Sequence, residues 1–149
     1  MSVFVVDASL VIKWFVPEVD SDAARRWLDA PHDYIAPDLL FPETGNTVWK
    51  KVRRGELNPD EGQRLVADLS AIAVEAIAMR GLLPDAHALA LSTGITVYDA
   101  TYLALAIRLD TQVVTGDDRF ARRLADHPQL APHVRSLRNF DSVSSETAG

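Results

Sequence analysis

Short apolar runs alternate with longer amphipathic segments along the whole chain. The first run, Val3 to Val6, contains only β-branched and aromatic residues, which is typical of a strand buried on both faces of a parallel sheet. Shorter or weaker runs predict further strands at Tyr34 to Ala36, Ile72 to Ile77, Gln112 to Thr115 and, at an edge, Val134 to Leu137. The pattern therefore predicts a sheet of four to five strands.

Helical segments fill the stretches between these strands. Asn58 and Pro59 form a cap followed by a proline at the first helical position, and Gly55 supplies a stop to the preceding helix. The predicted helices are Ala8 to Phe15, Ser21 to Leu28, Asp38 to Val52, Pro59 to Leu69, Pro84 to Ser92, Asp99 to Leu109 and Asp118 to Asp126. Alternating strands and helices predict an α/β fold with a parallel sheet, helices on both faces and right-handed crossovers.

Length and composition limit the possible classes of protein. The chain has 149 residues, of which 48% are hydrophobic and 24% charged, so we expect one folded domain over residues 1–140 and a flexible tail over 141–149. Because cysteine is absent, disulfides, thiolate zinc sites and cysteine nucleophiles are excluded. The first apolar run stops at Asp7 and lacks a basic flank, so we expect a cytoplasmic protein with no signal peptide and no membrane segment.

Acidic residues outnumber basic ones, 21 to 15, which argues against nucleic-acid binding by overall charge. Their positions are more informative than their number. Asp7 follows the first strand, Asp117 and Asp118 follow a later one, Asp99 begins the most apolar helix, and Glu43 lies in an apolar stretch. Functional groups in open α/β sheets gather beyond the carboxyl ends of the strands. These acids are therefore candidates for one site.

Each acid also has a purely structural interpretation. Asp7, Asp99 and either of the adjacent pair at 117 and 118 could cap the helix that follows. Glu43 could form an ion pair, although Lys50 lies seven residues away and direct helical pairs are three or four apart. If the acids converge, their repulsion requires protons or a divalent cation. Oxygen ligands alone suit Mg²⁺ or Mn²⁺, which points to phosphodiester hydrolysis.

Four segments occur in an order that is characteristic of one family. They are Val3-Phe-Val-Val-Asp-Ala-Ser9, Pro42-Glu43, Val97-Tyr-Asp-Ala-Thr-Tyr-Leu-Ala-Leu-Ala106 and Val113-Val-Thr-Gly-Asp-Asp-Arg-Phe120. With these segments the chain resembles the PIN-domain ribonucleases, and most closely the VapC-type toxins of toxin–antitoxin pairs. The resemblance extends from Val3 to about Phe140. It implies a three-layer α/β/α fold around a central, mostly parallel sheet.

The resemblance also implies a function and a site. An acidic site for Mg²⁺ or Mn²⁺ would consist of Asp7, Glu43, Asp99 and Asp117. Ser9 and Thr115 match the hydroxyl residues that support such a site. Asp118 doubles the last acid, so either aspartate could be the ligand, and the Thr-x-Asp spacing favours Asp117. The implied activity is an endoribonuclease toxin with an RNA substrate, a cognate VapB-type antitoxin and a homodimeric state.

Two basic runs and two other functions stay open at this point. The run from Lys50 to Arg54 and the arginines that follow Asp118 could track phosphates, or could be solvated helix surfaces. A catalytically silent PIN-fold module that binds RNA or protein would need none of the acids. A phosphatase or dehalogenase with Asp7 as nucleophile would need a second aspartate where Ser9 stands.

Overall fold

A computed structural model describes residues 2–140, so the tail expected over 141–149 lies outside the described residues. The strands are β1 (Val3–Val6), β2 (Asp33–Pro37), β3 (Glu75–Ile77), β4 (Val113–Thr115) and β5 (Val134–Ser136). The α-helices are α1 (Ala8–Phe15), α2 (Ser21–Asp29), α3 (Leu40–Arg53), α4 (Pro59–Ser70), α5 (Leu83–Thr93), α6 (Val97–Arg108) and α7 (Asp118–Leu124). Single 3-10 turns precede α5 and β5.

The predicted elements are present, most of them with boundaries shifted slightly, and the shifts of the third strand and of α6 have clear reasons. The third strand is shorter than predicted because a turn, in which the Val74 amide donates to the Ile72 carbonyl at 2.9 Å, comes before it. Helix α6 starts at Val97, earlier than predicted, because the Thr96 side chain caps it. Thr96, and not Asp99, is therefore the N-cap of this helix.

The strands form one sheet in the order β3-β2-β1-β4-β5, and every strand pair is parallel. The α/β/α prediction with a mostly parallel sheet is thus confirmed. The chain moves outward from β1 to β3, then crosses back to β4 and β5. Right-handed crossovers put α1 to α4 on one face and α5 to α7 on the other. The order of strands reverses between β1 and β4, where α/β proteins place their ligands.

The core fills both faces of the sheet, between the strands and α6 on one face and between the strands and α1 on the other. The paired residues Val5 and Val113 of the two central strands are fully buried, as is Leu103 of α6. Trp14 and Trp27 are buried too, whereas Trp49 is 53% exposed. A core of this kind holds the carboxyl ends of β1 and β4 in fixed positions, because closely packed interiors transmit displacement.

Within residues 2–140, no helix alone is both long and apolar enough to cross a bilayer. One helix pair, Met79–Thr93 with Val97–Arg108, passes in combination, but it is bent by 114°. Its second member, α6, is buried in the core over most of its length. Burial against the sheet accounts for the apolar composition of α6.

Candidate active site

Asp7 stands directly after β1 and is held by three donors. Its Oδ1 accepts from the Ser9 hydroxyl at 2.6 Å and from the Leu10 amide at 3.1 Å, and its Oδ2 accepts from the Thr115 hydroxyl. The bond from Leu10 is an N-cap, so the capping interpretation of Asp7 is correct. A cap needs only that bond. The two hydroxyl donors fix the carboxylate further, and only 7% of Asp7 is exposed.

The turn after β4 joins this arrangement through its backbone. The Gly116 amide donates to Ser9 Oγ at 2.8 Å, and the Asp117 amide donates to Thr115 Oγ1 at 3.0 Å. Asp117 caps α7 by accepting from the Arg119 amide at 2.9 Å. An added Cβ at Gly116 would lie 3.1 Å from the Ser9 carbonyl oxygen, so a larger residue would crowd this turn. The ends of β1 and β4 therefore form one hydrogen-bonded unit around Asp7.

Glu43 lies on α3 and bonds to a residue that the sequence did not single out. Its Oε1 accepts from the hydroxyl of Tyr102 on α6 at 2.7 Å. Tyr102 is 2% exposed. The predicted alternative partner, Lys50, is exposed and forms no recorded bond to Glu43. One signal for Tyr102 was present in the sequence, since it lies three residues after Asp99 and so on the same face of the helix.

Asp99 brings the other acids into one electrostatic group. Its charge raises the pKa of Asp7 and of Glu43, and the charge of Asp117 raises the pKa of Asp99 itself. Asp99 thus interacts electrostatically with each of the other three predicted acids, Asp7, Glu43 and Asp117. Asp99 is not a cap, and its place in the first turn of α6 leaves it a favourable interaction with the helix dipole as its only local role in the described chain.

Burial is the largest cause of the raised pKa values in this group. It raises the pKa of Asp7 to about 6, against the lowering effect of the bonds from Ser9 and Thr115. Burial also raises the pKa of Glu43, which Tyr102 lowers, and that of Asp99, which two arginines of α7 lower. Like charges a few ångströms apart in a buried setting favour protons or a cation. A cluster with these properties is typical of a functional site.

Asp118 is paired with a residue outside this group. Its carboxylate forms a close ion pair with Arg138, which also reaches Asp20 at 3.4 Å. The bond from Arg138 lowers the pKa of Asp118. Of the two adjacent aspartates, Asp117 is the one whose charge acts on Asp99, and Asp118 instead ties α7 to the end of the described chain.

A cleft of about 590 Å³ opens beside Asp117. Its lining carries charges of both signs, from Lys13, Arg119 and Arg122 on one hand and from Glu18, Asp117 and Asp118 on the other. The run from Lys50 to Arg54 does not line it. In that run, Lys51 pairs with Glu18 at 2.6 Å and with Glu56 at 3.4 Å, while Arg53 stacks 5.0 Å from the Trp49 ring centroid. Of the two basic runs, the one on α7 contributes residues to the lining of this cleft, Arg119 and Arg122.

The donor set fits a hard divalent cation, although the side chains do not form a finished coordination shell. Among residues 2–140, no three carboxylates or imidazoles stand close enough to share an ion. The gathered groups are nevertheless carboxylates and hydroxyls, which are the ligand types that Mg²⁺ and Mn²⁺ prefer. Their mutual repulsion is the electrostatic condition that a cation would relieve.

A parallel α/β fold with carboxylates gathered at its switch point defines the class of protein. The PIN-domain family model matches residues 4–124, and the chain belongs to the PIN-domain family. Among curated proteins, Ribonuclease VapC3 of Pyrobaculum aerophilum is 38% identical over 80% of this chain and 92% of its own length. Ribonuclease VapC1 of Mycobacterium tuberculosis is 29% identical over 90% of this chain and 97% of its own.

Solved structures share the fold at lower identity. PAE2754 from Pyrobaculum aerophilum superposes with a TM-score of 0.68 at 20% identity, over 97% of this chain and 94% of that one. A toxin–antitoxin complex from Klebsiella pneumoniae contains a chain that superposes with a TM-score of 0.65 at 18% identity. The superposition covers 90% of this chain and 97% of that one. These likenesses support the PIN-like architecture that the sequence predicted.

Proposed function

We propose that this protein is a VapC-type endoribonuclease toxin that hydrolyses RNA phosphodiester bonds with the help of Mg²⁺ or Mn²⁺. The group formed by Asp99 and the three acids that interact with it, Asp7, Glu43 and Asp117, carries the proposal; burial and mutual repulsion raise the pKa of Asp7, Glu43 and Asp99. The ribonuclease names of its curated relatives support the choice of reaction. A silent binding module would have no reason to keep this uncompensated charge buried.

The residues of the site would have three roles: to hold the metal ion, to orient its ligands and to contact the RNA. Asp7, Glu43, Asp99 and Asp117 would hold the divalent ion, and Ser9 and Thr115 would keep Asp7 oriented through their bonds. When bound, the ion supplies positive charge to the phosphate and acidifies an attacking water. Arg119 and Arg122 line the adjoining cleft and would orient the RNA backbone through charge-assisted bonds.

The proposed partners follow from the open, acidic character of the site. A cognate VapB-type antitoxin would place a basic side chain among the carboxylates and so compete with the cation for the same charge. Several solved structures with this fold are toxin–antitoxin complexes, which supports such a partner. With an RNA substrate, the proposed place of action is the cytoplasm.

The protein is also proposed to act as a homodimer. A groove of about 640 Å³ between α5 and α6 is lined largely by apolar residues, among them Leu89, Ala104 and Ile107. Leu83 and Leu91, also on α5, are 56% and 76% exposed. Exposed apolar surface of this kind is typical of an interface. Sedimentation should give a dimer, and Ile107→Lys should shift it to monomer. A wild-type monomer at all concentrations would contradict the dimer.

Two adjacent aspartates give the sharpest test of the site. Asp117→Asn should reduce RNA cleavage by about 10²-fold or more, because it removes a charge from the acid group. Asp118→Asn alters the same turn but only breaks the pair with Arg138, so it should retain activity within a few-fold. The measurement is cleavage of a labelled RNA in Mn²⁺ by both purified variants. Equal activity of the two would refute this assignment of the fourth acid.

Metal binding tests the rest of the proposal. Titration calorimetry of the wild-type protein with Mn²⁺ should show binding that Asp7→Asn weakens strongly, while melting shows that the variant is folded. A wild-type protein that binds no Mn²⁺ and cleaves no RNA would favour the silent module instead.

A further inference from the structure

Tyr102 lies among the acids without being one of them. Its hydroxyl donates to Glu43 Oε1 at 2.7 Å, and its ring is 2% exposed within α6. Burial raises the pKa of this hydroxyl, and the charges of Glu43, Asp7 and Asp99 raise it further. It therefore stays a neutral donor next to a group of carboxylates.

Glu43 depends on this bond far more than Asp7 depends on any one of its own. Asp7 has a short side chain and accepts from three donors. Glu43 has one more rotatable bond, and within residues 2–140 its carboxylate has only the recorded bond from Tyr102. Asp99 repels it. Without the hydroxyl, repulsion and side-chain entropy would favour rotamers that turn the carboxylate away from Asp99.

We propose that Tyr102 is a positioning residue that holds the Glu43 carboxylate toward Asp99 and thereby sets the affinity of the site for a divalent cation. The proposal rests on the proposed metal-dependent function. Tyr102 leaves Glu43 Oε2 without a recorded bond in the described part of the chain, so that oxygen is available to a ligand. Supporting hydrogen bonds to ligand side chains commonly change metal affinity by about 10- to 100-fold.

Tyr102→Phe tests this with little change of shape, since only the hydroxyl is lost. Titration with Mn²⁺ should show about 10-fold weaker binding or more. Cleavage should fall at low Mn²⁺ and recover toward the wild-type rate as Mn²⁺ is raised, because a misplaced ligand is compensated by mass action. Unchanged Mn²⁺ affinity in a folded Tyr102→Phe variant would overturn the proposal.

Tyr34→Phe is the matched control. Tyr34 is also buried, at 8% exposure, and its hydroxyl bonds to the Trp27 carbonyl, remote from the acids. Both variants should lose some thermal stability, and Tyr34→Phe should bind Mn²⁺ like the wild type. An equal loss of Mn²⁺ affinity in both would show that Tyr102 acts only through general stability.

A double-mutant cycle identifies the route of the effect. Glu43→Gln should weaken Mn²⁺ binding, and adding Tyr102→Phe to it should change the affinity by no more than about twofold. A full additional loss in that background would overturn the role assigned to Glu43. Failure of the wild type to bind Mn²⁺ would overturn both this proposal and the proposed function, whereas normal binding by Tyr102→Phe would overturn this proposal alone.

Discussion

The two sides of the acidic site are built differently. On the strand side, Asp7 sits between β1 and β4, where two hydroxyls and an amide hold both of its carboxylate oxygens. On the helix side, Glu43 reaches from α3 toward α6 and has one recorded side-chain bond, from Tyr102. Asp99 acts electrostatically on both sides. The strand side is thus preorganised by the sheet, and the helix side depends on how α3 and α6 pack.

This difference suggests a division of roles. A carboxylate locked into the sheet can keep its position whether or not a cation is bound. A carboxylate on a longer side chain with one bond can adjust when the charge of the site changes. Substitutions on the strand side should therefore affect folding and activity together, and those on the helix side should affect mainly ligand affinity.

The largest effect is expected at Asp99, since it is the acid common to both sides. Asp99→Asn should lower RNA cleavage by about 10³-fold, because it removes the central charge while keeping the size of the side chain. The Thr96 cap should preserve α6, so melting should change little. Single-turnover cleavage of a labelled RNA measures the loss. Cleavage within tenfold of wild type would contradict the role of Asp99 as the acid common to both sides of the site.

The next effect concerns pH and separates Asp7 from ordinary surface acids. The folded pKa of Asp7 is about 6, above its ordinary 3.8, so the stability it contributes is present below pH 4 and is lost as pH rises through 6. The loss is roughly 3 kcal/mol in the free energy of unfolding. Asp7→Asn keeps an N-cap side chain and should remove this loss, which denaturant unfolding from pH 3.5 to 7.5 in chelator measures.

Asp118→Asn serves as the control of opposite sign. The pKa of Asp118 is lowered, so any stability from its pair with Arg138 is present near neutral pH and is lost as pH falls. The prediction for Asp7 would be contradicted if the free energy of unfolding of Asp7→Asn changed with pH between 4 and 7 in the same way as that of the wild type.

A pair of glycines tests the rigidity of the two sides. A Cβ on Gly116 would lie 3.0 Å from atoms of Leu137 and Lys13 and 3.1 Å from the Ser9 carbonyl. Gly116→Ala should therefore lower the free energy of unfolding by about 1–3 kcal/mol. It should also disturb the hydrogen bond from the Gly116 amide to Ser9 Oγ. A Cβ on Gly45 of α3 meets nothing within 4 Å. Gly45→Ala should therefore raise the free energy of unfolding, by at most about 1 kcal/mol, without loss of RNA cleavage. Thermal melting of both variants decides this, and a destabilising Gly45→Ala would contradict an open helix side.

The smallest effect is expected for the basic residues. Arg122 lines the cleft on the strand side, and Arg54 lies in the α3 run outside it. Arg122→Gln should weaken RNA binding a few-fold and reduce the salt slope by about 0.7, the value for one phosphate on a single strand. Arg54→Gln should change neither. Binding of a catalytically inactive variant to RNA at several salt concentrations gives both quantities, and an effect at Arg54 alone would reverse the assignment.

The sequence by itself determined the elements and the identity of the acids. Apolar runs such as Val3 to Val6 report burial directly, and the Asn58 and Pro59 signal marks a helix start through local bonds, which is why these predictions needed no tertiary information. The acids could be nominated because they end strands or interrupt apolar stretches. Strand order could not be read in this way, because the pattern shows that a strand is buried and not which strand lies beside it.

The tertiary structure alone decided which side chains meet. Asp117 and Asp118 are equivalent as neighbours in sequence, and only the pair between Asp118 and Arg138 separates them. From the sequence, Tyr102 resembles the other core residues of α6. Only the fold places Glu43 Oε1 at 2.7 Å from its hydroxyl. The physical reason is the same in both cases. Local patterns fix which face of an element is buried, whereas hydrogen bonds and charge interactions between distant residues depend on distances that only the packing of the elements sets.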